Sequence, residues 1–264
     1  MDNLELLTKE VERIAKEAGA YIAAQRKTFS WSQAETKGQN DMVSYVDKTA
    51  EAMITKQLTL LLPEAGFLTE EETVAQSDAE LRWIVDPLDG TTNFIHGIPA
   101  YAVSIALARE KELLSGVVYE VNRSESFCAW KGGGAYLNGE RIAVSSTTAL
   151  NDGLFLTGLP VKPFAKKDQY LQIMGELMAR THGLRRIGSA AVDCAYVACG
   201  RGEAYFECNI NAWDIAAGAL IVQEAGGEVT DFSGGDNYLF GREIVVGGSA
   251  VHTELMQVIQ KFWS

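Results

Sequence analysis

The stretch that decides the fold is residues 83–98, Trp83-Ile84-Val85-Asp86-Pro87-Leu88-Asp89-Gly90-Thr91-Thr92-Asn93-Phe94-Ile95-His96-Gly97-Ile98. An apolar run leads into two carboxylates, Asp86 and Asp89. Pro87 fixes its own backbone angle and favours an extended conformation for the residue before it. Gly90 permits a sharp reversal of the chain directly after the second carboxylate. The stretch therefore predicts a strand that ends at Asp86, followed by a tight turn that bears two acidic side chains.

A short helix is expected after this turn, with Thr91 or Thr92 as its cap. The free N–H groups of its first turn would face the two carboxylates and form a site for an anion. Hard oxygen ligands beside an anion site suit Mg²⁺ together with phosphate. A strand end followed by a solvated turn fits the same residues, because Asp, Pro and Gly are common in turns. Both interpretations remain open for this stretch on its own.

The composition indicates a globular, acidic protein. The chain has 264 residues, 47% of them apolar, and a formal net charge of −12. No linker or repeat interrupts it, and we expect a single domain over residues 1–264 whose two halves meet near residue 150. An acidic surface argues against nucleic acid and anionic membrane as partners. It is compatible with a phosphorylated substrate if bound divalent cations make the electrostatic potential at the site positive.

Several other classes of protein are not expected. No stretch approaches the roughly 18 apolar residues of a membrane-spanning helix. The acidic N-terminus lacks signal-peptide features, so we expect a cytoplasmic protein. The four cysteines show no CxxC spacing, and with only three histidines a zinc site is not expected.

Motifs of P-loop nucleoside triphosphatases and of serine hydrolases do not occur in the sequence. It contains neither the G-x-x-x-x-G-K-[ST] P-loop nor the G-x-S-x-G nucleophile elbow. The run Lys131-Gly132-Gly133-Gly134 favours a β-turn over a phosphate-binding loop. A nucleoside triphosphatase and a serine or cysteine hydrolase are therefore disfavoured.

Hydrophobic periodicity predicts helices and strands along the whole chain. Helices are expected near residues 2–27, 46–61, 166–180, 189–199, 213–224 and 251–262. Strands are expected near residues 66–69, 82–85, 101–108, 115–121, 126–130, 135–137, 153–159, 184–187, 203–208, 228–230 and 243–246. Consecutive strands first and alternating strands and helices later predict mixed sheets layered with helices, an α/β architecture.

Three segments together resemble the signatures of the inositol monophosphatase family. Residues 86–94, Asp86-Pro87-Leu88-Asp89-Gly90-Thr91-Thr92-Asn93-Phe94, are similar to the first signature. Residues 213–218, Trp213-Asp214-Ile215-Ala216-Ala217-Gly218, running into Glu224-Ala225-Gly226-Gly227, resemble the second, and Glu70-Glu71 matches the family's acidic pair. The segments occur in the family's order, and the similarity extends over nearly the whole chain. The resemblance implies a layered α-β-α-β-α sandwich of the inositol monophosphatase and fructose-1,6-bisphosphatase type.

The resemblance also implies a set of metal ligands. Glu70, Asp86 and the backbone carbonyl of Leu88 would hold a first Mg²⁺ ion. Asp86, Asp89 and Asp214 would hold a second, so that Asp86 contacts both. Glu70 is also implied as a contact of a third, more loosely held ion.

The catalytic group implied by the resemblance comprises Glu70 and the pair Thr91 and Asp47, which would orient the attacking water. A helix-capping role is the alternative for Asp47 and for Asp214, because each lies near the predicted start of a helix. The sequence alone does not decide between these roles.

Substrate contacts are implied in both halves of the chain. Backbone N–H groups of Gly90 and Thr91 would bind phosphate, and Glu207 would accept hydrogen bonds from ring hydroxyls, with a surface charge at a strand edge as its alternative role. The full set of expected substrate contacts is Asp89, Gly90, Thr91, Gly188, Ser189, Ala190, Glu207 and Asp214. Asn211 departs from the histidine that is frequent in the family, which leaves the choice of substrate open.

The function expected from these observations is Mg²⁺-dependent hydrolysis of a small phosphorylated polyol or sugar, above all inositol monophosphate, by a lithium-sensitive homodimer. The same chemistry on 3′-phosphoadenosine 5′-phosphate, fructose 1,6-bisphosphate or histidinol phosphate is the alternative, because a fold does not determine a substrate. A metal- or polyphosphate-binding protein without turnover is the alternative from another class. It would predict the loss of a ligand residue.

Overall fold

The computed structural model describes residues 3–38, 41–160 and 164–263. Its helices are α1 (Leu4–Arg26), α2 (Tyr45–Leu61), α3 (Thr91–His96), α4 (Lys167–Arg180), α5 (Ala190–Ala198), α6 (Ala212–Glu224), α7 (Tyr238–Gly241) and α8 (Ser249–Phe262). Its strands are β1 (Ala34–Gly38), β2 (Asp41–Ser44), β3 (Gly66–Thr69), β4 (Leu81–Asp89), β5 (Ala102–Arg109), β6 (Glu112–Glu120), β7 (Glu125–Trp130), β8 (Gly134–Leu137), β9 (Glu140–Ile142), β10 (Leu154–Thr157), β11 (Gly183–Arg185), β12 (Ala204–Cys208), β13 (Glu228–Thr230) and β14 (Glu243–Gly247).

The long helices α1 and α2 form the first layer of the molecule. Asn3 caps α1, since its side-chain oxygen accepts a hydrogen bond from the N–H of Leu6 at 3.0 Å. Ser44 caps α2 in the same way through the N–H of Val46, at 3.1 Å. The apolar faces of both helices pack against one face of a large sheet, where Trp83, Val103 and Val117 are fully buried.

This large sheet has seven strands in the order β3-β4-β5-β6-β7-β8-β9. Only β3 and β4 run parallel, and all the other neighbours are antiparallel. Helices cover both faces of its central strands. That is why β5 is an almost continuous apolar run and does not alternate between apolar and polar residues.

The second half of the chain builds a five-stranded sheet in the order β11-β10-β12-β14-β13. The strands β11, β10 and β12 are parallel to one another, and β14 pairs antiparallel with both β12 and β13. Helices α4 and α8 cover its outer face, with Tyr170, Ile173, Leu255 and Ile259 in the core between them.

Helices α5 and α6 lie between the two sheets, which completes the α-β-α-β-α sandwich and confirms the predicted fold. Small residues allow these layers to approach closely. A Cβ atom at Gly218 of α6 would collide with Cys194 of α5, and one at Gly116 of β6 would lie 2.9 Å from the carbonyl oxygen of Ala217. Because α6 contacts both sheets, its first turn lies where the two halves of the chain meet.

Most predicted elements are present, with shifts of a few residues at their ends. The short elements β9 and α7 and the hairpin of β1 and β2 were not predicted from the sequence. The strand expected over residues 82–85 extends to Asp89, so both carboxylates of the predicted acidic turn, Asp86 and Asp89, lie on β4. No helix in the described parts of the chain is both long and apolar enough to span a membrane.

Candidate active site

A bulge in β4 brings the two carboxylates of the acidic turn to the same side of the sheet. Asp86 pairs with Ser104 of β5 and Asp89 pairs with Ala102, so three steps along β4 match two steps along β5. In a regular strand, side chains three positions apart point to opposite faces. The extra residue removes this difference, as bulges near active sites commonly do. The expected strand end at Asp86 is therefore wrong, because the pairing resumes beyond Pro87.

The short helix α3 follows as predicted, but its predicted cap is wrong. Gly90 is the N-cap, with φ of 95°, and no side chain caps the helix. A Cβ atom at Gly90 would lie 3.0 Å from the carbonyl oxygen of Ala100, so glycine suits this position both in conformation and in space. Thr91 is consequently the first residue of the helix, and its hydroxyl is available for other contacts.

The hydroxyl of Thr91 lies 2.8 Å from Oδ1 of Asp47 on α2 and 3.0 Å from the carbonyl oxygen of Leu88. The other oxygen of Asp47, Oδ2, accepts hydrogen bonds from the backbone N–H and the hydroxyl of Ser44, at 2.9 and 2.6 Å. Asp47 thus both caps α2 and contacts Thr91, so the two roles considered for it are compatible.

Three carboxylates converge at the point where the acidic turn meets α6. Oxygen atoms of Asp86, Asp89 and Asp214 lie within 4.8 Å of one another. They line a cavity of about 400 Å³, which Leu88, Gly90, Thr91, Ser189 and Glu207 also line. Glu70 lines the same cavity from the loop after β3. The structure therefore gathers in one cavity residues that are distant in sequence.

Each of these three carboxylates is held by its own backbone or side-chain contacts. Oδ1 of Asp86 accepts a hydrogen bond from the N–H of Leu88 at 2.9 Å. Oδ2 of Asp89 accepts from the hydroxyl of Ser189 at 2.6 Å and from the N–H of Ala191 at 2.7 Å. Oδ2 of Asp214 accepts from the N–H of Asn211 at 2.7 Å, so this side chain also caps α6. The carboxylates are oriented before any ligand binds.

Burial raises the pKa of these acids, and neighbouring negative charge adds to the rise for Asp86 and Asp214. Burial raises the pKa of Asp86 well above its usual range, and the charges of Glu70, Asp89 and Asp214 raise it further. Burial and the charge of Asp89 raise the pKa of Asp214 to about 8. Burial raises the pKa of Asp89 to about 6, opposed by its hydrogen bond from Ser189. The charge of Arg186 opposes the rise at Asp89, but the clustered carboxylates still favour the binding of cations.

A divalent metal ion fits this site. The donor set consists of carboxylate oxygens that are fixed in place and repel one another, and hard cations such as Mg²⁺ prefer oxygen ligands. Bound cations would offset the repulsion that contributes to the raised pKa values of Asp86 and Asp214. No histidine or cysteine lines the described part of the cavity, so the ligand set does not suit zinc.

Glu51 is a buried residue of this region that the sequence analysis missed. Its carboxylate accepts hydrogen bonds from the N–H groups of Glu71 and Thr73, each at 2.7 Å, and from the hydroxyls of Thr69 and Thr73. It is 0% exposed and fixes the loop that bears Glu70. The sequence could have indicated this residue, because an acid at position 51 interrupts the apolar face of α2, one turn after Asp47.

Glu207 lies inside the cavity, so a surface charge at a strand edge is the wrong interpretation. Its Oε2 accepts a hydrogen bond from the hydroxyl of Tyr205 at 2.6 Å. Burial raises its pKa to about 7, opposed by that hydrogen bond. Gly158 provides the space for the carboxylate, because a Cβ atom there would overlap it. Glu207 is therefore positioned to accept further hydrogen bonds from a ligand.

The triplet Gly188-Ser189-Ala190 starts α5 as expected, and all three residues line the cavity. The hydroxyl of Ser189 is engaged with Asp89 and also accepts from the N–H of Val192 at 3.3 Å. The side chain of Asn93 in α3 donates to the carbonyl oxygen of Ile187 at 2.9 Å. These contacts link the acidic turn to the start of α5.

Further polar and charged lining residues were not predicted, among them Asp193, Arg186, Asn209 and Arg242. Asp193 is 1% exposed, and its Oδ1 has no hydrogen-bond partner in the described part of the chain. Arg186, Asn209 and Arg242 also line the cavity, and neither arginine belongs to a family signature identified in the sequence. Asp193 lies in α5, whereas Arg186, Asn209 and Arg242 lie in loops whose spatial position the sequence does not reveal.

The glycine-rich run after β7 forms a turn, as predicted. The carboxylate of Glu224, at the end of α6, accepts hydrogen bonds from the N–H groups of Gly132 and Gly134, at 2.7 and 2.8 Å. These N–H groups, which a phosphate-binding loop would offer to its ligand, are thus occupied by a side chain of the same protein.

Comparison with known proteins gives a consistent result. The model of the inositol monophosphatase family matches residues 3–264. Inositol-1-monophosphatase of Rhizobium meliloti (strain 1021) is 42% identical over 257 residues, which cover 97% of this chain and 96% of that protein. Nus factor SuhB of Escherichia coli (strain K12) is 43% identical over 240 residues, covering 90% of each. The crystal structure of extragenic suppressor protein suhB from Bartonella henselae has a TM-score of 0.89 at 40% identity, covering 94% of this chain and 96% of that one.

The layered fold and the carboxylate-lined cavity together define a class of phosphatases that generally use divalent metal ions. The chain belongs to the inositol monophosphatase family, and it is a phosphoric monoester hydrolase.

Proposed function

We propose that the protein hydrolyses the phosphate ester of a phosphorylated polyol, with inositol monophosphate as the preferred substrate and Mg²⁺ as the metal. The observation that supports this most strongly is the convergence of Asp86, Asp89 and Asp214 within 4.8 Å in a cavity that also contains Glu207. The carboxylates provide a metal site, and Glu207 provides an acceptor for hydroxyl groups. An enzyme for polyol phosphates needs both.

The proposed ligands of a first ion are Glu70, Asp86 and the carbonyl of Leu88, and those of a second are Asp86, Asp89 and Asp214. When bound, the ions would make the attacking water more acidic and neutralise charge on the phosphoryl oxygens. A third ion beside Glu70 is part of the same proposal. The chain itself contributes the fixed orientation of these ligands, through the hydrogen bonds from Leu88, Ser189 and Asn211.

Thr91 is proposed to orient the water. Its hydroxyl has one hydrogen to donate and two lone pairs that accept. Asp47 lies 2.8 Å away and accepts the hydroxyl hydrogen, so that the lone pairs of Thr91 remain for a hydrogen of water. A water held in this way presents its own oxygen to the phosphorus atom. The proposal thus assigns Asp47 to fixing the hydrogen of Thr91, and Gly90 and Thr91 to binding phosphate through their N–H groups.

Glu207 supports a polyol over the alternative substrates. Its carboxylate accepts one hydrogen bond, from Tyr205, and its remaining lone pairs favour a ligand with several hydroxyl groups. Asp89, Asp214, Gly188, Ser189 and Ala190 complete the proposed substrate contacts.

Relatives from Escherichia coli and Salmonella typhimurium carry the name Nus factor, which raises a second candidate role outside hydrolysis. We favour hydrolysis because Glu70, Asp86, Asp89 and Asp214 all line one cavity. Asp47, the other acid assigned to the reaction, contacts the lining residue Thr91. A protein with only a binding role would not need that set. The net charge of −12 further disfavours direct contact with nucleic acid. A homodimer in the cytoplasm remains part of the proposal.

Phosphate release should depend strictly on a divalent cation. With inositol 1-phosphate as substrate, we expect activity to vanish in excess chelator and to return when Mg²⁺ is added. Ca²⁺ should restore little activity, because its coordination is larger and less regular. A colorimetric assay over a panel of phosphomonoesters checks this. Full activity in chelator would exclude the proposed role of the carboxylate cluster, and a marked preference for another ester would exclude the inositol assignment.

Replacing Glu207 with glutamine should lower the activity on polyol esters much more than the activity on simple esters. The change keeps the size of the side chain but replaces one acceptor with a donor and removes the charge. Losing a hydrogen bond to a charged group lowers kcat/KM by roughly 10–150-fold. We expect a loss of that order on inositol 1-phosphate and little change on an aryl phosphate, which has no ring hydroxyls.

The aryl phosphate is the internal control of this experiment, since it uses the same metal site. Equal losses on both substrates would show that Glu207 supports the metal site or the fold. No loss on either would remove the main support for a polyol substrate.

A further inference from the structure

Asp193 is a buried acid of the cavity that the proposed reaction does not use. It lies in α5, one turn after Ser189, so both side chains are on the same face of the helix. Both residues line the cavity, where the hydroxyl of Ser189 contacts Asp89. Apart from the proposed metal ligands, Asp193 and Glu207 are the only acidic residues that line the described part of the cavity. Asp193 is therefore an acid of the substrate cavity without an assigned role.

A structural role does not account for this side chain. An acid in the first turn of a helix is favoured by the helix dipole, and Asp193 occupies such a position. The dipole stabilises an exposed side chain as well, yet Asp193 is 1% exposed. Its Oδ1 is buried and has no hydrogen-bond partner in the described part of the chain. Because a buried oxygen without a partner destabilises the folded protein, a ligand that supplies the missing hydrogen bond would explain its position.

Asp193 and Glu207 are close enough for their charges to interact. Burial raises the pKa of Asp193 well above its usual range, the charges of Glu207 and Asp89 raise it further, and the charge of Arg186 opposes the rise. Burial raises the pKa of Glu207 to about 7. Two neighbouring buried acids tend to retain a proton on one of them, so the pair offers a hydrogen-bond donor as well as acceptors. A hydroxyl group, which both donates and accepts, matches such a pair.

We propose that Asp193 binds hydroxyl groups of the substrate together with Glu207, so that the two acids determine the preference for a polyol. This inference rests on the proposed function, because the carboxylate cluster must hold the phosphate that is hydrolysed. Asp193 then contacts the polyol and neither the metal nor the phosphate. Its loss should weaken the reaction only with substrates that present hydroxyl groups to it.

The test compares inositol 1-phosphate with an aryl phosphate in the presence of Mg²⁺. For Asp193→Ala, the ratio of kcat/KM on inositol 1-phosphate to kcat/KM on the aryl phosphate should fall by about tenfold, because one hydrogen bond in a buried site is lost. Asp193→Asn should retain most of the ratio, since an amide both donates and accepts, as a protonated acid does. Asp168→Ala is the matched control. Asp168 is also an acid in the first turn of a helix, but it is exposed and does not line the cavity.

Deoxyinositol 1-phosphates, each of which lacks one hydroxyl group, locate the contact. One of these analogues should lower kcat/KM of the wild type by about tenfold but cause no further loss in Asp193→Ala, because the analogue and the variant remove the same hydrogen bond. On the other analogues the two losses should multiply. Multiplying losses on every analogue would overturn the assignment of Asp193.

Thermal stability separates a binding role from a structural one. Asp193→Asn keeps the shape of the side chain and removes a buried ionisable group whose Oδ1 has no partner in the described part of the chain. Its Tm, measured in chelator without substrate, should equal or exceed that of the wild type. A marked fall in Tm would show that Asp193 supports the fold, which would overturn the assignment.

Equal losses on both substrates for Asp193→Ala, or an unchanged ratio, would also overturn the assignment of Asp193. The proposed function would stay intact in that case if the wild type prefers inositol 1-phosphate and Glu207→Gln lowers the ratio. A lowered ratio for Asp168→Ala as well would show that the loss of any acid causes the effect, which again overturns the assignment. A wild type that releases phosphate from neither substrate in Mg²⁺ would overturn the proposed function and this inference with it.

Discussion

Replacing Asp86 with asparagine should lower kcat/KM for phosphate release by more than about 100-fold. Substitutions of residues that only support a metal ligand typically cost about 10–100-fold, and the loss of a ligand should exceed that range. Asp86 is 1% exposed, lies within 4.8 Å of the other two carboxylates, and is the one residue proposed to contact both ions. Asparagine keeps the shape and one acceptor oxygen but removes the negative charge. Steady-state assays at saturating Mg²⁺ measure the loss.

The same variant should be at least as stable as the wild type when metal is absent. Burial and the charges of Glu70, Asp89 and Asp214 raise the pKa of Asp86, so its ionised form is disfavoured in the folded state. Removing the charge should hold or raise Tm in chelator. Asp78→Asn is the control, since Asp78 lies on the surface before β4 and should change neither activity nor Tm appreciably. Near-normal turnover by the Asp86 variant would show that the metal ligands are assigned wrongly.

Thr91→Val should lower kcat by roughly 10²–10⁴-fold, the range typical of a group that positions or transfers a proton. Valine has nearly the same shape but cannot contact Asp47, which lies 2.8 Å from the threonine hydroxyl, and it cannot accept a hydrogen from water. KM should change much less than kcat, because the hydroxyl is proposed to act on the water and not on the substrate. Initial-rate measurements over a range of substrate concentrations separate the two constants.

Thr91→Ser is the matched control for this experiment, because serine keeps the hydroxyl. It should retain most of the activity. If the valine variant keeps most of the activity while the serine variant loses it, the methyl group of Thr91 matters for packing and its hydroxyl does not orient the water. A rise in KM with unchanged kcat for the valine variant would instead assign Thr91 to substrate binding.

The layered fold could be predicted from the sequence because its long elements have strong apolar periodicity and the signatures occur in a known order. The cluster of Asp86, Asp89 and Asp214 was predicted from the resemblance to the family. The first and last of these residues are 128 positions apart in the chain. Spacing alone would not have joined them. From its position alone, Asp214 is typical of a residue that caps a helix. It does cap α6, because it accepts a hydrogen bond from the N–H of Asn211.

Other features were not predictable, for physical reasons. The bulge in β4 depends on pairing with β5, which no local pattern around Pro87 specifies. The cap at Gly90 depends on the left-handed conformation of that residue, so the preference of threonine for cap positions gave the wrong expectation. Arg242 reaches the cavity from a loop after α7, and that helix has only four residues, too few for a periodic signal.

Diffraction from crystals grown with Mn²⁺ and inorganic phosphate tests the central claim most directly, because Mn²⁺ takes oxygen ligands like those of Mg²⁺ and scatters anomalously. We predict anomalous density for two ions between Asp86, Asp89 and Asp214, with Glu70 as a further ligand and phosphate bound beside Gly90 and Thr91. The Asp86→Asn crystal should show reduced density at both positions, while Asp78→Asn should match the wild type. Phosphate bound in this cavity without metal, or Mn²⁺ bound only elsewhere on the protein, would contradict the account.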